Sequence, residues 1–200
     1  MAKIHPHPTA ETCSDQSSSG RETFTVWMKS LVFHGNGCTV FNSKGHVVFR
    51  VDNYQQRCSR KVLLMDSTGN VLFSLNRKKL GMFGCWEGFK WIDSDVRMKR
   101  PLFQVRRNRA ILSRDNSCQV ILGCDKLNRK NDYKIIGFEG KSSLKITDFS
   151  GKVLAEATQK QSSEGVGLGD DVLTLMVEAN VDQSLIMALV TVYGLINNKL

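Results

Sequence analysis

Between positions 97 and 114 the chain carries Arg97, Lys99, Arg100, Arg106, Arg107, Arg109 and Arg114, with no acid among them. Guanidinium and ammonium groups in that density create a local positive field. The chemistry they support is recognition of anions through charge-assisted hydrogen bonds, not the making or breaking of bonds. A second basic cluster, Arg77, Lys78 and Lys79, lies upstream. A plainer account is a solvated face on a basic protein, since charge runs commonly mean only solvation. Alternate residues of a strand face opposite ways, so Arg106 and Arg107 share a face only if a bulge intervenes.

Other residue types that do chemistry lack the neighbours they need. Gly165-Val166-Gly167-Leu168-Gly169 is rich in glycine, but no Lys-Ser/Thr follows and the next residues are Asp170 and Asp171. A phosphate cradle needs free N–H groups at a helix start, and two carboxylates would repel its ligand, so this segment reads as a loop. Cys58 and Ser59 stand between Arg57 and Arg60 without a placed base, which leaves nucleophilic catalysis unsupported. The six cysteines (Cys13, Cys38, Cys58, Cys85, Cys118, Cys124) include no CxxC pair, and all four histidines precede position 47. That spacing opposes a zinc site and favours buried, reduced thiols. His5-Pro6-His7-Pro8 sits in a tail whose composition opposes order without a ligand. Trp86, Trp91 and Phe89 flank the basic stretch. Aromatics beside cations can stack nucleobases, whereas in a barrel they more often face the core. The reading is a non-enzymatic protein with no metal and no cofactor.

Positioning such residues requires a scaffold, and the sequence repeats one. Val40–Phe49, Leu64–Phe73 and Ile146–Ala155 align without gaps, each with Asn42, Asp66 or Asp148 three positions before Gly45, Gly69 or Gly151. Asn or Asp opens a turn through its side chain, and glycine accepts the left-handed conformation that closes it, so three hairpins are expected. Further strand-like runs are Phe24–Phe33, Leu102–Arg107, Gln119–Leu122, Tyr133–Phe138 and Val172–Val177. Many short strands with turn residues between them point to a barrel or sandwich. The final segment, Ser184–Ile196, is apolar on every side of a helical wheel, so it needs an apolar enclosure and not a single apolar wall. Asn180 or Asp182 is placed to cap it, and Asn197 and Asn198 to end it. Twelve residues from Leu185 to Ile196 fall short of the roughly twenty that span a bilayer, which favours a buried core helix over a transmembrane span.

The 200 residues, 41% apolar, suit one domain. Residues 1–22 are expected to be a disordered tail and residues 23–200 the folded domain. The tail lacks the apolar core of a signal peptide and the basic amphipathic face of a transit peptide, so the expected location is cytoplasmic, with peripheral plasma-membrane or nuclear placement open. The formal charge of +9 makes anionic partners plausible.

The hairpin repeat, Trp27-Met28-Lys29-Ser30-Leu31-Val32-Phe33 followed by Gly35-Asn36-Gly37, the strand Lys61-Val62-Leu63-Leu64-Met65-Asp66, and the closing Val181-Asp182-Gln183-Ser184-Leu185-Ile186-Met187-Ala188-Leu189-Val190 together resemble the plant LURP-one-related proteins. The resemblance runs from about Glu22 to Leu200 and departs from the family at Ala179, where a proline is expected. It implies a tubby-like fold, shared with the phospholipid scramblases: a closed antiparallel barrel of about twelve strands around a C-terminal helix. It carries over no catalytic residue. Tubby relatives bind phosphoinositides through basic residues, which suggests a reversible anionic-lipid or phosphoinositide module. On that reading the ligand residues are Arg97, Lys99, Arg100, Arg106, Arg107 and Arg109, with Arg77, Lys78 and Lys79 secondary. The alternatives from the same resemblance are a protein-interaction scaffold in plant defence signalling and a membrane-tethered transcription regulator, the latter requiring salt-sensitive duplex binding.

Overall fold

The structure, a computed structural model, describes residues 20–28, 36–53, 61–78, 84–93, 96–108, 116–123, 132–137 and 143–197. Arg109, Arg114, Lys79, Cys13, Cys58, Cys124, nearly all of the tail expected to be disordered, and the latter half of the Phe24–Phe33 run lie outside these residues.

The strands are β1 (Glu22–Trp27), β2 (Asn36–Phe41), β3 (Val47–Asn53), β4 (Lys61–Asp66), β5 (Val71–Lys78), β6 (Cys85–Asp93), β7 (Val96–Arg97), β8 (Phe103–Arg107), β9 (Asn116–Leu122), β10 (Tyr133–Gly137), β11 (Leu144–Thr147), β12 (Val153–Gln159) and β13 (Val172–Val177); one helix, α1 (Gln183–Ile196), follows. All pairings are antiparallel, in the order β5-β4-β3-β2-β1-β13-β12-β11-β10-β9-β8-β6-β7, and β5 also pairs with β6. That last pairing closes the sheet. Twelve strands form a barrel, and β7 extends β6 outside it.

The hairpins form by the expected local chemistry. Asn42 Oδ1 accepts from the N–H groups of Lys44 and His46, Asp66 Oδ1 from those of Thr68 and Asn70, and Asp148 Oδ1 from those of Ser150 and Lys152. Gly45, Gly69 and Gly151 take φ values of 80, 95 and 86°, and the register shifts beside each turn, at Val40/Phe41, Leu64/Met65 and Ile146/Thr147. A fourth turn of the same design was not apparent in the sequence. Ser162 Oγ accepts from Glu164 and Val166 N–H, and Gly165 sits at φ 79° three positions on. The glycine-rich segment is thus the tip of the β12–β13 hairpin.

The barrel encloses α1. Ten successive residues, Leu185 to Gly194, are buried, which is the demand of a helix apolar on every side. Its one polar core residue before Tyr193 is satisfied internally: the Thr191 hydroxyl donates to Met187 O at 2.8 Å. Of the two candidate caps, Asp182 takes the position and Asn180 adopts φ 63° in the preceding turn. Asn197 ends the helix. Inward side chains of the strands, among them Val26, Val40, Leu64, Phe73, Leu75, Phe103, Val120, Ile135, Ile146 and Leu175, pack around it. Phe103 owes its place to a missing side chain, because a Cβ at Gly88 would lie 2.1 Å from Phe103 Cζ.

Register distinguishes the two ends of the barrel. At the proximal end, where α1 begins, lie the turns 42–46, 66–70 and 148–152 and the Lys90–Asp182 ion pair. At the distal end lie the 161–169 hairpin tip, the last residues of β5 and β8 and the first of β6 and β9.

Candidate functional site

Four of the expected anion-binding residues meet at the distal end. Lys78 pairs with Cys85 and Cys85 with Arg106, so β5, β6 and β8 set Lys78 and Arg106 on one cross-strand row; Arg77 pairs with Trp86 one step inward along β5. Along β8 the burial alternates, with Phe103 and Val105 inside and Gln104 and Arg106 outside. Arg107 continues the inward series yet is exposed, because the strand has by then emerged from the barrel mouth. Arg77 does the same after Phe73 and Leu75. Arg106 and Arg107 therefore leave opposite faces of one strand and are both exposed at the same rim.

Glu87 organises the outer row. Its Oε1 lies 3.2 Å from Lys78 Nζ and accepts from Gln104 Nε2 at 3.0 Å, while Arg106 Nη2 donates to Gln104 Oε1 at 3.4 Å. One acid thus orients two cations and neutralises one. Burial disfavours the thiolate form of the two cysteines beside them. Burial pushes the Cys85 thiol up against the opposing pull of the Arg106 guanidinium, and burial pushes Cys118 up to about 11 although Arg107 pulls the other way. Burial also raises the Tyr193 phenol, with Cys118 adding to the rise and Arg107 opposing it. The Arg107 charge is thus felt at Tyr193, in the last turn of α1. Cys38, Cys85 and Cys118 are buried.

The other described cations of the basic stretch, Arg97, Lys99 and Arg100, are elsewhere. Met98 N–H donates to Lys90 O and Leu102 N–H to Gly88 O, so Lys99 and Arg100, between them, lie toward the proximal end, and Arg97 pairs with Trp91 in β7. The length of β8, roughly 13 Å for four steps of about 3.3 Å, separates them from Arg106 and Arg107. The sequence run is split, and its distal part is joined instead by Arg77 and Lys78. The aromatics do not form a stacking platform: Trp86 is buried in the core, Phe89 is buried, and Trp27 Nε1 bonds Asp171 at 3.3 Å.

Among the described residues, two grooves open on the barrel's outer wall. One of about 620 Å³ on β9, β10 and β11 carries Lys134 and the acids Asp132 and Asp148, with Phe149 exposed in its lining. Asp148 is committed to its turn, where the Ser150 hydroxyl and the N–H groups of Lys152 and Ser150 hold its carboxyl below the usual range. The other, of about 390 Å³, spans β13, β1 and the 42–45 turn. Among the described residues no group of three or more His, Cys, Asp or Glu is arranged to hold a metal, and no helix is long and apolar enough to cross a membrane.

A family model described as LURP-one-related matches residues 22–194. Protein LURP-one-related 11 of Arabidopsis thaliana is 44% identical, with 98% of this chain and 89% of the relative covered. Protein LURP-one-related 4 of the same plant is 42% identical over 98% of this chain and 87% of its own length. The X-ray structure of an Arabidopsis thaliana protein shares the fold with a TM-score of 0.63 at 18% identity, covering 90% of this chain and 93% of the other. With its barrel, enclosed helix and full-length relatives in agreement, the chain belongs to the LURP-one-related family.

Proposed function

We propose that the protein is a non-enzymatic signalling module that docks reversibly on anionic membrane surfaces, phosphoinositide-bearing ones in particular, through the distal end of its barrel. The observation that supports this is the convergence of Arg77, Lys78, Arg106 and Arg107 onto one rim from β5 and β8, the strands on either side of β6, where Glu87 pairs with Lys78. Each net basic charge held near an anionic leaflet contributes about 1 kcal/mol. Three such charges acting together would enrich the protein at the surface by roughly a hundredfold, enough for transient attachment and weak enough to be reversed. The buried helix has no part in spanning a bilayer, since its apolar faces are already covered by the barrel. On this reading the module works at the cytoplasmic face of the plasma membrane.

Co-sedimentation with neutral, phosphatidylserine and phosphoinositide vesicles, at low and physiological salt, tests the reading. Wild type is expected to pellet with phosphoinositide vesicles at both salts, and Arg77→Ala/Arg106→Ala/Arg107→Ala to lose at least tenfold in affinity. The proximal variant Lys99→Ala/Arg100→Ala is expected to change binding less than twofold. Binding that physiological salt abolishes on every vesicle, or that the proximal variant weakens as much as the distal one, would overturn it and turn the search toward protein partners.

A further inference from the structure

The groove of about 390 Å³ is lined by Thr23, Thr25, Phe41, Asn42, Ser43, Gly45, Lys160 and Thr174. It lies on the outer wall, away from the distal rim cations. Thr158 pairs with Thr174, Thr174 with Thr25, and Thr25 with Phe41. These residues form one outward row across β12, β13, β1 and β2. Lys160, two positions beyond Thr158 and therefore on the same face, reaches across β13 to place Nζ 2.6 Å from Thr25 Oγ1.

The chemistry of this lining is one-sided: one ammonium, four hydroxyls and an amide, and no carboxylate among the described residues. Lys160 is half-buried and has no ion pair among the described residues. Asp171, in the adjoining turn, bonds to Trp27, and Asp170 accepts from Gln159 Nε2. Taking an ammonium partly out of water is costly unless opposite charge or several acceptors compensate, and here one threonine oxygen does so. An ammonium has three donors, so two remain. Asn42 Oδ1 already accepts from two N–H groups of its turn, which leaves its Nδ2 to offer. Thr23, Thr174 and Ser43 add hydroxyls that can turn their hydrogens toward an acceptor.

A ligand satisfying this set carries negative charge on several oxygens around one centre. We propose that the groove is an oxyanion site that takes the phosphate of a phosphate monoester, with Lys160 supplying the charge and Thr25, Thr174, Thr23 and Asn42 the neutral hydrogen bonds. A monoester bears about 1.5 to 2 negative charges at neutral pH and three acceptor oxygens. The groove volume admits the phosphate and a small substituent. The site does not depend on the distal rim and uses none of its residues.

The test follows backbone amide shifts by ¹H–¹⁵N NMR on the full chain, first with inorganic phosphate against chloride at constant ionic strength. Saturable shifts at Ser43, Lys160 and Thr174 are expected with phosphate only. Lys160→Met is expected to weaken the affinity at least tenfold, and Thr25→Val, which keeps the charge, severalfold. Glycerol 3-phosphate and vesicles containing phosphatidylinositol 4-phosphate then separate the sources. Lys160-dependent tightening with the former assigns a soluble monoester, and with the latter a lipid headgroup. Shifts no larger than those with chloride, or an affinity unchanged in a folded Lys160→Met, would overturn the site. The Arg77/Arg106/Arg107 variant should titrate with phosphate as wild type does, so failure of membrane docking and failure of this site read out separately.

Discussion

Asp182 holds the proximal end together with one carboxylate. It caps α1 by accepting from Leu185 N–H at 3.1 Å, accepts from the Ser184 hydroxyl at 2.5 Å and pairs with Lys90 Nζ at 3.0 Å. Burial alone would raise its carboxyl, but these hydrogen bonds and the Lys90 charge outweigh it and hold the group below its ordinary value. A carboxyl depressed in the folded state stabilises above its unfolded value of about 3.9, and the contribution fades as pH falls through the folded value. Asp182→Ala is therefore expected to cost about 1 to 2 kcal/mol at pH 7, the range for a lost cap. Asp182→Asn keeps an acceptor and loses only an exposed ion pair, about 0.5 kcal/mol. Urea unfolding at pH 7 and again at a pH below the folded value checks both the order and the sign, since the wild-type advantage over Asn should vanish there. The cap was legible in the sequence because it is local, a polar residue just before an apolar run. The Lys90 contact was not, because 92 positions separate the partners.

At the scale of elements, the hairpins show what short-range signals can carry. Asn or Asp followed three positions later by glycine identified three turns, because the side-chain acceptor and the left-handed glycine are both decided within five residues. The fourth turn escaped notice because Ser162 stands where the others have Asn or Asp, and its glycine is the first of a glycine-rich run. A hydroxyl makes the same bonds more weakly, which gives a prediction: Ser162→Asp should stabilise the protein by a few tenths of a kcal/mol. Gly165→Ala, forced to φ 79°, should destabilise it by about 1 kcal/mol. Thermal melts of the two single variants decide the point. Element boundaries followed the same logic. Val172–Val177 was legible to the residue, whereas β9 begins at Asn116, three positions before the expected Gln119, because pairing with Gly137 and Ile136 extends the ladder over polar residues that no apolar alternation marks.

For the whole molecule, the sequence announced its architecture through one incongruity, a helix apolar on all sides in a chain otherwise made of strands. Without α1 the inward ring of Phe73, Leu75, Phe103, Val105, Ile135 and Leu175 would face a void too wide to collapse without breaking the β5–β6 closure. A chain ending at Asp182 is expected to lose its cooperative unfolding transition, as measured by near-ultraviolet circular dichroism and calorimetry. The candidate sites were much less legible. Adjacency of Arg77 to Arg106 depends on β6 lying between β5 and β8, and the Lys160 groove depends on β1 pairing with β13, relations that no local pattern contains. The β1–β13 pairing also governs when the protein can exist at all. β1 waits for a partner that begins at Val172, and the helix that fills the barrel comes last. At about 5 to 20 residues per second, translation of the intervening stretch takes roughly 10 to 30 s. Throughout that interval the nascent sheet has an open edge and an uncovered apolar lining. Until β13 and α1 are in place the barrel can neither close nor fill, so the growing chain presents aggregation-prone surface through that interval.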